Sequence, residues 1–197
     1  MIEHSSPAAI ERVREAAGVV EWRPSRSEAI AWNVVGVAVT VIGLPVFALP
    51  SLLRAGPAGG SFRISLGDVL LVAALIALLV IAHEAIHALV MLGFGARPSF
   101  GVMLVGRVIP AVYATAAGHR FTRVQYLTVA VAPAIVVSAL GLWACFGPWA
   151  AYLILPLAFH LGGCVGDGFA CWRVLRESPG TQCEDLRDGI RFHRLHA

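Results

Sequence analysis

Four stretches of the chain stay apolar for about 20 residues each, the length a helix needs to cross ~30 Å of hydrocarbon. They cover approximately 29–49, 67–95, 124–147 and 149–172 in a chain of 197 residues. Hydrophobic residues make up 58% of the sequence and charged residues only 14%, against roughly 25% charge in a soluble domain. A water-soluble globule is therefore excluded. So is disorder, because disordered chains are rich in charge and poor in apolar side chains. The expected fold is an all-α polytopic membrane protein, a four-helix transmembrane bundle. Residues 29–175 form its embedded domain, between a cytoplasmic N-terminal segment (1–28) and a cytoplasmic tail (176–197).

Charge sets the orientation. All 15 basic residues are arginines, for a net charge of +3. With both termini inside, every arginine except Arg54 and Arg63 falls on the cytoplasmic side, as expected of a multi-pass protein of the plasma or inner membrane. A fifth span over 99–117 would put Arg107 and Pro110 at mid-membrane and move the arginine-rich tail outside. That stretch, with Gly101, Gly106 and Pro110, reads instead as short strands or a re-entrant segment between helices 2 and 3. Arginines scattered between apolar blocks mark topology, so no nucleic-acid partner is expected.

Local signals refine the picture. Ser65 and Asp68 form a capping box opening the second helix. Gly147-Pro148 marks a tight turn between antiparallel helices. Ala8 to Ala17 has a helical composition suited to the inner surface. Cys145, Cys164, Cys171 and Cys183 lack metal-knuckle spacing and read as small buried hydrophobes. Pro133 and Pro156 are expected to kink their helices. His4, His119, His193 and His196 stand in polar surroundings and read as surface residues.

The second span carries His83-Glu84-Ala85-Ile86-His87 after an unbroken apolar run from Val69 to Ala82. On a helix, histidines four apart point the same way and can share one metal ion. Glu84 sits ~100° round from His83, placed to take a proton from a metal-activated water and pass it to a leaving amine. A chain of this composition meets the pattern by chance about once in a hundred. A buried carboxylate in a span also costs about 2.5–3.5 kcal/mol on insertion scales, which argues for a function. The bland alternative is a helix–helix hydrogen-bond cluster.

A hydrolytic zinc site usually adds a third protein ligand. Asp167, within Gly162-Gly163-Cys164-Val165-Gly166-Asp167-Gly168, is the candidate, since it lies near the inner end of the fourth span at the depth of His83 and His87. The bland alternative, of lower rank, is a polar cap at the helix end. Cys164 is a rival ligand of lower rank. His160, two turns deeper on the face of Asp167, could bind a reacting carbonyl oxygen or be a core histidine bonded to a neighbouring helix.

With this motif on a membrane helix, Pro133 in mid-helix, and the segment His160 to Asp167, the chain resembles a prokaryotic membrane family of zincin peptidases. That family is distantly similar to the site-2 intramembrane proteases. The resemblance covers roughly 70–192. It implies Zn2+ held by His83, His87 and Asp167, with Glu84 as general base. Where the family more often has asparagine and serine, this chain has His160 and Cys164. The region between Pro98 and Ala117 is similar to the strand-forming segment that site-2 proteases place beside their site, where an unwound substrate could pair. The expected function is zinc-dependent hydrolysis of a membrane or membrane-adjacent peptide in contact with the lipid bilayer. The alternatives are a metal-dependent hydrolase of a non-peptide amide and a non-catalytic scaffold with a vestigial site.

Overall fold

The computed structural model describes residues 18–55, 64–105 and 109–194. The helical reading of Ala8 to Ala17 lies outside them, as do His4, His196, Arg63, Gly106 and Arg107. The chain is mostly helical, with strands at one end. In order it forms β1 (Val19–Trp22), α1 (Arg26–Ala55), α2 (Leu66–Gly93), β2 (Ser99–Val105), β3 (Ile109–Thr115), α3 (Arg123–Ala144), α4 (Ala150–Gly163), α5 (Val165–Leu175), β4 (Gln182–Leu186) and β5 (Gly189–His193). Four helical stretches are long and apolar enough to cross a membrane: Arg26–Arg54, Leu66–Gly93, Arg123–Ala144 and Ala150–Leu175.

The helix ends are fixed by local chemistry. Ser65 and Asp68 make the reciprocal capping box, and the Tyr152 hydroxyl donates to Asp68 Oδ1 at 2.9 Å, joining the starts of α2 and α4. At its other end α2 stops in a Schellman turn. Ala96 N–H donates to Met91 C=O and Gly95 N–H to Leu92 C=O, with Gly95 at φ +80°.

The fourth apolar stretch runs from Ala150 to Leu175 with one interruption. It breaks at Cys164, the junction of α4 and α5, while Pro156 lies buried inside α4 without ending it. Gly162 and Gly163 precede the break and support helix poorly. Gly162 is also required sterically, because a Cβ there would collide with the Thr40 hydroxyl and come within 2.6 Å of the Gly36 carbonyl. That bare contact lets α1 lie along α4, which also touches α2 and α3.

Two core clusters result. One, around Phe47, Val137, Leu157 and Ala158, lies among the helices. The other joins Met91, Tyr126 and Val129 to Phe121, Cys183, Ile190 and Phe192, locking the helix ends to the strands.

The segment between α2 and α3 is an antiparallel hairpin, registered from Ser99↔Thr115 to Val105↔Ile109, with β3 against α2. Strands were expected there. A second sheet was not, and it revises the all-α reading: β1, β5 and β4 pair in that order, uniting the two chain ends. Glu21, Arg191 and Glu184 stand directly across from one another in it. Arg191 donates to Glu21 Oε1 at 2.7 Å and to both Glu184 oxygens at 3.0 Å. His193 donates to Glu184 at 3.0 Å, so it is a partnered residue rather than the surface histidine its sequence setting suggested. On the inner face Ile190 and Phe192 are buried. Phe121 and Cys183 exchange backbone hydrogen bonds of 2.8 Å each way, which stitches the tail to the start of α3. The polar tail is thus part of the core. Phe192→Ala is expected to cost about 3–5 kcal/mol, as for other buried phenylalanines. Denaturant unfolding in detergent checks this, and an unchanged midpoint would show that the hairpin hangs free of the core.

Candidate metal centre

The site begins with a proline. In α3 the N–H that would bond the Val129 carbonyl belongs to position 133, and Pro133 has none. The freed carbonyl meets His87 Nδ1 at 2.9 Å. A carbonyl only accepts, so Nδ1 carries the proton and a neutral His87 presents Nε2 as a bare lone pair.

That lone pair points at two other groups. His83, one turn earlier on the same face of α2, places its Nε2 3.0 Å from His87 Nε2. Asp167, in the first turn of α5, brings Oδ2 to 3.2 Å from His83 Nε2 and Oδ1 to 3.6 Å from His87 Nε2. Yet Asp167 Oδ2 is buried with no hydrogen-bond partner. An orphaned carboxylate oxygen facing imidazole nitrogens is poorly balanced by itself and fits a divalent cation bound by all three residues. The sequence-derived trio therefore converges, with one ligand atom from each within 4.8 Å of the others.

A second group shares His83 through its other nitrogen. His83 Nδ1 lies 3.1 Å from His160 Nε2, and Cys164 Sγ lies 3.8 Å from His83 Nδ1 and from both His160 ring nitrogens. His160 is thus seated behind His83, on the side opposite Asp167's oxygens.

Glu84 lines a cavity together with His87 and Asp167. Its Oε2 accepts the Ala114 N–H at 2.7 Å, which pins the carboxylate to β3. In the hairpin register Ala114 faces Phe100, and its N–H turns away from β2. By strand parity residues 110, 112 and 114 direct their backbone groups toward the same outer edge, where Pro110 contributes no N–H.

The cavity's far wall was not foreseen. Tyr113, Tyr126, Asp185 and Arg187 complete it, the last two from the tail hairpin. Tyr126 donates to Asp185 Oδ1 at 3.2 Å. Burial pushes the Asp185 carboxyl up to about 6, outweighing hydrogen bonds from Thr115 and Tyr126 that favour its charged form. The available sequence signal was Arg187-Asp188-Gly189 between two short alternating runs, a hairpin pattern.

Fold and site together define a helical chain with a His–His–Asp constellation beside a glutamate. The family profile described as "putative zincin peptidase" matches residues 76–183, more than half of the chain, and the chain belongs to that family. Searches among curated proteins and among solved structures return no match.

The raised Asp185 has a consequence for stability. Its folded value lies above the ordinary 3.8, so stability is greatest below that value and falls as pH rises through about 6. Asp185→Asn stays neutral and is expected to gain more thermal stability over the native chain at pH 7.5 than at pH 5. Equal differences at the two pH values would contradict this.

Proposed function

We propose that this chain is a membrane-embedded zinc metallopeptidase acting on membrane or membrane-adjacent peptides, distantly akin to the site-2 proteases. The carrying observation is the convergence of His83 Nε2, His87 Nε2 and the unpartnered Asp167 Oδ2 on one point. Membership of a zincin peptidase family supports the metal and the reaction class. Val37, Val41, Leu70, Ile81, Leu140 and Trp143 are all exposed on the long helices, which supports a surrounding bilayer. The strands and arginine-bearing ends then lie on the cytoplasmic side of the plasma or inner membrane.

His83, His87 and Asp167 would hold the zinc, which supplies Lewis acidity, lowering the pKa of water at the site to about 7 and polarising a carbonyl. Glu84 takes a proton from the attacking water as its oxygen bonds to the peptide carbonyl carbon. The carbon–nitrogen bond then breaks, and Glu84 delivers the proton to the departing nitrogen. The Ala114 N–H holds Glu84 in place for both transfers. An unwound substrate strand can lie along the outer edge of β3, which runs into the site at Ala114.

Purified protein is expected to hold about one zinc per chain, lost in His87→Ala. Less than about half an equivalent, unchanged by that substitution, would defeat the reading. Glu84→Gln is expected to keep the zinc while peptide hydrolysis falls by about 10²–10⁴-fold. Full biological activity in that variant would favour a scaffold instead. Pro133→Ala returns an N–H to compete for the Val129 carbonyl, and is expected to weaken zinc binding toward the 10–100-fold range of outer-shell changes. Chelator competition measures this, and unchanged affinity would show that the freed carbonyl is dispensable.

A further inference from the structure

We infer that His160 is a positioning residue: its Nε2 accepts the His83 Nδ1 proton and thereby holds His83 in the one tautomer that can bind a cation. This rests on the zinc site proposed above. Of the two roles the sequence left open for His160, it builds on the histidine bonded to a neighbouring helix, since Nε2 faces His83 on α2.

The two ligand histidines are treated alike. Each turns Nε2 inward, and each has a partner at Nδ1. For His87 the partner is the Val129 carbonyl at 2.9 Å, and for His83 it is His160 Nε2 at 3.1 Å. A neutral imidazole carries one proton. If His83 gives its Nε2 lone pair to a cation, the proton must sit on Nδ1, where it needs an acceptor in a buried setting. Among the described residues only His160 Nε2 and, more weakly, Cys164 Sγ lie within reach. In the other tautomer Nε2 carries the proton and gives it to the bare His87 Nε2, 3.0 Å away, beside Asp167 Oδ2 at 3.2 Å. That arrangement closes the trio on itself and excludes the metal. His160 decides between the two states.

The placement is specific. His160 is 7% exposed, and it stands on α4 just before the break that carries Asp167 onto α5. One continuous segment therefore supplies the carboxylate on one side of His83 and the acceptor on the other. His160 Nε2 must be bare to accept, so its own proton sits on Nδ1, 3.8 Å from Cys164 Sγ.

The test compares zinc affinity by chelator competition at fixed pH in the full chain. His160→Leu removes the acceptor and is expected to weaken zinc binding 10–100-fold. His160→Gln offers an amide oxygen near the same place and is expected to recover affinity to within about threefold of the native chain. Cys164→Ser is expected to stay within about threefold, whereas zinc seated on His83, His160 and Cys164 would be lost from it. Native affinity in His160→Leu, or equal losses in the Leu and Gln variants, overturns the inference. A second readout needs no metal. In 15N-histidine NMR of the metal-free protein, His83 is expected as the Nδ1–H form in the native chain and as the Nε2–H form in His160→Leu. No change of form contradicts the proposal. If the native chain binds no zinc at all, the metallopeptidase reading fails, and the NMR result still decides the role of His160.

Discussion

A single carbonyl that its helix cannot use organises the site. Pro133 denies Val129 its intrahelical donor, and the spare carbonyl takes the Nδ1 proton of His87. From that one bond the rest follows. His87 must offer Nε2, His83 lies one helical turn away with its own Nε2 facing it, and Asp167 closes the triangle. Two imidazoles and a carboxylate, held together among apolar helices, are a costly grouping that a shared cation would balance.

The surrounding fold positions these groups through several separate contacts. Asp167, in the first turn of α5 after the break at Cys164, lies beside the histidines of α2, and the side-chain-free contact of Gly162 lets α4 pack closely on α1. On the strand side, the β2–β3 hairpin pins Glu84 through the Ala114 N–H. The tail hairpin supplies Asp185 and Arg187 to the far wall of the cavity. The charge row Glu21–Arg191–Glu184 holds that hairpin to β1, and the buried Phe192 places it in one core cluster with Met91, Tyr126 and Val129.

Much of this was legible in the sequence, because it is encoded by local periodicity. Apolar runs give the helices, four-residue spacing gives the two histidines, and matched depth picks out Asp167. Gly101 and Pro110 mark the strand segment. What escaped is non-local. The His83–His160 contact joins residues 77 apart, and the Tyr126–Asp185 contact joins residues 59 apart. Neither has a spacing signature. The tail hairpin did carry one, in Asp188-Gly189 flanked by alternating residues, but the segment's polar composition reads only as a cytoplasmic tail. In the structure its charges pair across strands while Ile190 and Phe192 turn inward. The break at Cys164 was hidden for another reason, since glycines inside an apolar run suit both close packing and a helix end.

The central claim is that a zinc ion sits between His83, His87 and Asp167. X-ray absorption at the zinc edge of the purified, zinc-loaded chain tests it most directly, because oxygen and nitrogen ligands lie at about 2.0–2.2 Å and sulfur near 2.3 Å. The account predicts a shell of nitrogen and oxygen with the signature of two imidazoles and no sulfur. A sulfur ligand, or fewer than two imidazoles, would contradict it.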